Sequence, residues 1–152
     1  MNRSFVDQND AERRRLRSLV ARLTDQELAC PLPAGWTVAS VLGHLAFWDQ
    51  RILVLLERWQ KDGAAAMPQA FNPADVDWIN DAAKPLLLAL PARRAAELAV
   101  SIAEAVDARA AALGEVFLSR NAEAGNPVNL LRAEHRREHL DEIEGALSTR
   151  PS

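Results

Sequence analysis

Apolar residues recur along this chain every three to four positions, and prolines and glycines cut that rhythm into segments. Leu16, Leu19, Val20 and Leu23 fall on one stripe. The spacing predicts a first helix starting near Asp7 to Asp10, where several residues could act as N-cap. Thr24-Asp25-Gln26-Glu27 has the form of a capping box and predicts a short extra turn. Pro31 and Pro33 stop any helix through Cys30 to Gly35, because each drives its predecessor to an extended conformation. Thr37 is the expected N-cap of a second helix reaching about Lys61. Its stripe carries Val41, Leu45, Trp48, Ile52, Leu55 and Trp59, and Trp36, just before the cap, takes the position of a hydrophobic staple.

Gly63 to Pro73 reads as a loop that contains Pro68. A third helix is expected from Val76 to Leu90, anchored by Trp78, Ile79 and Leu86, with a kink or break that Pro85 imposes near Lys84. Pro91 is a stop or the first turn of a helix from about Ala92 to Leu118. Leu98, Ile102, Val106 and Leu113 form its face, and Gly114 weakens its end. Asn121 to Asn129 reads as a polar loop, with Asn126 and Asn129 as candidate caps for a last helix from about Val128 to Leu147. No sustained period-two alternation, internal repeat or interdomain linker interrupts this reading. The expectation is one all-α domain over residues 1–152, a four-helix bundle with short extra helical turns in its loops.

Against this background the three histidines stand out. His44 lies next to Leu45 and one turn before Trp48, so it points inward or to the margin of the second helix's stripe. His135 and His139 form an H-x-x-x-H pair on a stripe with Leu131, Glu142, Ile143 and Ala146. Residues four apart on a helix lie about 40° apart around the axis and about 6 Å apart along it, so both imidazoles can grip one ion. A third imidazole from another helix would complete a three-histidine divalent-metal site with a position left open for water or substrate. Imidazole suits zinc, nickel, copper or iron. Without a metal, two inward histidines would need hydrogen-bond acceptors that an apolar stripe does not supply.

Arg136 occupies the position where an H-E-x-x-H metalloprotease carries its glutamate, which excludes that class. Glu142 shares the histidine face and is the nearest candidate for a supporting or extra ligand; the alternative is a charge paired with Arg132 or Arg136. Asp49 reads as a structural ion-pair partner or cap, next to Arg51. Trp48 and Trp59 read as core or pocket wall, and Trp78 as packing or the lining of a ligand cavity.

Of the 152 residues 49% are hydrophobic, enough for a real core, and the net charge is −3 with a pI of about 5.6. Such a chain has no cation excess for nucleic acid or an anionic membrane. Arg13-Arg14-Arg15 and Arg17 are a local exception that reads as a solvated helix face offset by Asp7, Asp10 and Glu12. Cys30 is the single cysteine, read as a small buried hydrophobe, so no intramolecular disulfide can form. The N-terminus lacks an apolar signal core and no run approaches about 18 apolar residues, so a cytoplasmic protein is expected.

Gly35-Trp36-Thr37-Val38-Ala39-Ser40-Val41-Leu42-Gly43-His44-Leu45-Ala46-Phe47-Trp48-Asp49 resembles the signature of the DinB-like superfamily, which includes the N-terminal domains of mycothiol-dependent maleylpyruvate isomerases. Glu134-His135-Arg136-Arg137-Glu138-His139-Leu140-Asp141-Glu142-Ile143 is similar to its final-helix motif. The resemblance implies a four-helix bundle with a divalent metal, commonly zinc or nickel, held by His44, His135 and His139. It implies a thiol-dependent transferase or isomerase using mycothiol, bacillithiol or glutathione, and a homodimer. The chain ends soon after the last motif, so the C-terminal domain of full isomerases is not expected. The leading expectation is thus a metal-dependent thiol S-transferase acting on a small electrophile. A metal-dependent hydrolase, a non-catalytic metal- or ligand-binding protein and a metal-free helical interaction domain are the alternatives.

Overall fold

In the computed structural model, which describes residues 2–63 and 72–150, the expected caps and breaks set the element order. The helices are α1 (Ser4–Arg22), α2 (Asp25–Leu28), α3 (Val38–Asp62), α4 (Pro73–Ala89), α5 (Ala92–Ala111), α6 (Glu115–Glu123) and α7 (Ala133–Ser148), with a 3-10 turn at Pro33–Gly35. Among the described residues the one extended pairing is an isolated bridge between Pro31 and Thr37. Both expected capping motifs form. Thr24 and Glu27 exchange side-chain and backbone hydrogen bonds at the start of α2, and Thr37 and Ser40 do so at the start of α3. Each satisfies amide donors that a helix start leaves unpaired. The proposed loop around Pro68 lies outside the described residues.

α3 packs on α5, α5 on α1, α1 on α7 and α7 on α3, a closed four-helix ring; α4 lies outside it against α3. The α3–α5 seam is lined by small side chains, Ala95, Ala96, Ala99 and Ala103, all at most 1% exposed. The expected face holds at Val106 and Leu113, which are buried, but Leu98 and Ile102 are only half-buried and the alanines face the core there, because a close helix approach favours small residues. Gly43 serves the same end. A Cβ there would meet the Leu87 side chain at 3.3 Å, so glycine lets α4 sit close beside the turn that carries His44.

Several boundaries differ from the sequence expectation. The helix expected to run to Leu118 ends at Ala111 and restarts at Glu115, with Gly114 as N-cap. The Arg3 guanidinium donates to the carbonyl oxygens of Ala111 and Leu113, satisfying acceptors that the ended helix leaves open. The turn drives both Leu113 and Leu118 into the core. α7 starts at Ala133 rather than Val128, and its cap comes from a distant residue. The buried Asn9 side chain accepts from the Ala133 amide and donates to the Leu130 carbonyl. Asn121 clamps the backbone N–H and C=O of Val128, which is fully buried. That irregular segment feeds Val128 and Leu130 into the core, which a helix from Val128 would not do.

Pro85 does not break α4, which continues to Ala89. Both Pro85 and Asp81 are exposed, so the carbonyl that proline leaves without a helix partner faces solvent. Trp78 and Leu86 are 60% and 73% exposed and do not anchor this helix; Leu87 is its buried contact. Among the described residues α3 alone is long and apolar enough to cross a membrane, and 67% of that stretch is buried inside the fold.

Candidate metal centre

His44 is brought inward by α3, and His135 and His139 are set one turn apart by α7. The His44 and His135 Nε2 atoms are 3.0 Å apart. The three ring centroids form a near-equilateral triangle of 4.9–5.0 Å sides, with planes at 68–81° to one another. Among the described residues these three form the one group of potential ligands whose donor atoms all lie within 4.8 Å of one another. The Glu142 carboxylate lies 3.1 Å from His139 Nδ1, so Glu142 engages this histidine and not Arg132 or Arg136. That contact fixes the Nδ1–H tautomer and leaves His139 Nε2 free to ligate.

The triad lies in a cleft of about 710 Å³ between α3, α7 and α4. Trp36 meets the His44 ring edge-on at 5.7 Å. Lys84, from α4, sits 5.1 Å over the Trp36 ring and donates to the carbonyl of Ala34. Ala34 adopts the left-handed φ of 60°, uncommon for a residue with a Cβ, and the Lys84 contact ties this strained rim to α4. A second cleft of about 260 Å³ opens on His44 and His135 past Trp48, whose indole N–H donates to Asn80 at 2.8 Å. Trp48 is thus pocket wall; Trp78 points away from both clefts.

The model of the mycothiol maleylpyruvate isomerase N-terminal domain matches residues 10–144. The chain belongs to that family. No curated protein and no solved structure matches it significantly. Membership agrees with the all-α DinB-like architecture and with both quoted motifs, which fall inside the matched range.

Burial keeps two imidazoles of this DinB-like domain, His44 and His135, uncharged. Burial brings the His44 pKa from 6.5 down to about 4, with the charge of His139 adding to the effect. Burial lowers that of His135 to about 2, helped by His139, His44, Arg132 and Arg136. Neutral rings keep the lone pairs that metal ligation needs. Tetrahedral zinc with bonds of 2.0–2.1 Å sets its ligand nitrogens about 3.3 Å apart, near the spacing found here. His44 Nδ1 and His135 Nδ1 are buried without a hydrogen-bond partner. A single Nε2-to-Nε2 hydrogen bond satisfies little of such a group, whereas an ion would engage all three facing nitrogens. The residues fit a divalent metal.

The same shifts predict acid sensitivity of the metal-free fold. Below pH 6.5 the unfolded chain takes up protons on His44 and His135 that the fold refuses, so stability falls as pH drops. Between about pH 7 and about pH 4.5 the loss is about 2–3 kcal/mol for each histidine. Urea unfolding of chelator-treated protein checks this; an unchanged midpoint contradicts it.

Sequence reasoning missed the layer that holds α7 in register. Arg136 is fully buried and bonds both Asp49 (2.9 Å) and Asp107 (2.8 Å). Arg132 donates to the other Asp49 oxygen at 2.7 Å, and Arg13 reaches Asp107 at 3.1 Å. Asp49 is an ion-pair partner as expected, but for α7. The layer divides the core: Leu16, Leu45, Ala103 and Leu140 lie in one apolar cluster, Ile52, Val106 and Leu130 in the other. The available signal was an ionisable residue on the inward register of α3, α5 and α7. The Arg13–Arg17 run is only partly a solvated face. Arg13 and Arg15 are half-buried, and Arg15 pairs with Asp141 and Glu144 of α7. Cys30 is buried as expected, within the first apolar cluster.

Proposed function

We propose that this domain binds one divalent ion, zinc or nickel, through His44, His135 and His139, and acts as a metal-dependent thiol S-transferase on a small electrophile. The observation that carries this reading is the convergence of three imidazoles from two helices in a cleft large enough for a small thiol. When bound, the ion would supply the positive charge that keeps a thiol in its nucleophilic thiolate form at neutral pH. The chain's own residues do the rest. Glu142 holds the His139 ring, Trp36 and Trp48 flank the triad with apolar surface, and burial keeps His44 and His135 from protonating. In the reaction a carbon–sulfur bond forms, the electrophile's leaving group departs with its electron pair, and the thiol proton passes to buffer.

Tag-free protein loaded with zinc or nickel tests this with mycothiol, bacillithiol or glutathione and a chlorinated test electrophile. The expected result is thioether formed above the rate of a His135→Ala control, with one thiol preferred. Metal bound in full with no product above that control would overturn the transferase reading and leave a metal- or ligand-binding protein.

A further inference from the structure

The satellite helix α4 is apolar on two opposite faces. Its inner face packs on α3, where Leu87 closes on Gly43. Its outer face carries Trp78, Ala82, Pro85, Leu86 and Ala89, which fall within about 100° of one another around the axis. Among the described residues nothing covers this stripe: all five are exposed, Trp78 to 60% and Leu86 to 73%. A surface helix ordinarily buries its apolar face and turns its charges outward. Here Asp77, Asp81 and Lys84 stand to the side, in the wall of the larger cleft, and the outward direction is left apolar.

We infer that a second copy of this chain covers the outer face of α4, with the two α4 helices antiparallel across a two-fold axis near Ala82. A two-fold contact must be self-complementary, and this stripe is. Trp78 and Leu86 stand equally far on either side of Ala82, so each tryptophan meets the leucine of the other copy. Alanine at the crossing lets the two backbones approach closely. Charge selects the direction. Asp75, Asp77 and Asp81 occupy the N-terminal half of α4, and the half from Ala82 to Ala89 has no acidic residue. Parallel helices would set three carboxylates beside their own copies, whereas antiparallel helices set them beside the half that has none. A helix of 17 residues is about 25 Å long and about 10–12 Å across, so its outer half offers on the order of 400 Å² per copy. A standard stable interface buries about 800 Å² per partner, which makes this a reversible dimer of micromolar strength. The contact would brace from outside the helix whose Asn80 lines both clefts at the triad. It goes beyond the transferase reading and does not depend on it.

Sedimentation velocity of tag-free protein across the micromolar range tests the assignment. The expected result is a concentration-dependent passage from monomer to dimer. Leu86→Glu and Trp78→Ser alter side chains that are exposed in the single chain, so they should leave the fold intact and weaken the dimer about tenfold or more. Val116→Glu, at a comparably exposed apolar side chain on α6, should leave it unchanged. With diamide as oxidant, Ala82→Cys should link two chains much faster than Ala89→Cys, which lies away from the axis; Cys30 is buried and does not compete. A monomer at every concentration overturns the proposal, and so does a dimer that Val116→Glu weakens as much as Leu86→Glu. Linking through Ala82→Cys no faster than through Ala89→Cys overturns the antiparallel arrangement.

Discussion

Arg136→Met is expected to lower the unfolding free energy by about 3–5 kcal/mol, the usual range when one partner of a buried ion pair is removed. The reason is what remains behind. Asp49 and Asp107 are 2% and 5% exposed, and each would keep only one arginine, Arg132 and Arg13 respectively. The methionine fills the volume of the stem but cannot pair with either carboxylate. Arg136→Lys keeps the charge and loses the fork, so its loss should be smaller. Urea unfolding at neutral pH measures both. A loss below about 1 kcal/mol for Arg136→Met would show that the layer is not a cooperative part of the fold.

Replacing any one of His44, His135 or His139 by alanine is expected to weaken metal binding by more than about 100-fold, because losing a residue that merely supports a ligand already costs about 10–100-fold. Helicity should be kept. Alanine leaves the leucine- and alanine-lined clusters that join the helices unchanged and favours helix, and it removes the two buried Nδ1 atoms that have no partner. Metal affinity by competition with a chelating dye, together with far-ultraviolet circular dichroism, separates loss of the ion from loss of the fold.

Much of this was legible in the chain. Short-range rules located the capping box at Thr24, the N-cap at Thr37, the breaks at Pro31, Pro33 and Pro91, and the inward facing of His44. Each depends on residues within a turn or two of one another. What stayed hidden depends on residues far apart in the sequence. Asn9 caps a helix that begins more than a hundred positions later, and Arg136 finds its carboxylates on α3 and α5. The alanine seam of α5 was hidden for a different reason. A hydrophobicity pattern weights leucine above alanine, whereas the tight approach to α3 selects by size. Trp36, Lys84 and Asn80 reached the site through loop and satellite-helix placement that no periodicity encodes.

Elemental analysis after equilibration with zinc or nickel and removal of excess ion tests the metal centre most directly, on tag-free wild-type protein and the His135→Ala variant side by side. The predicted result is one divalent ion per chain in the wild type and almost none in the variant. Full occupancy in both, or no stoichiometric ion in either, would contradict it.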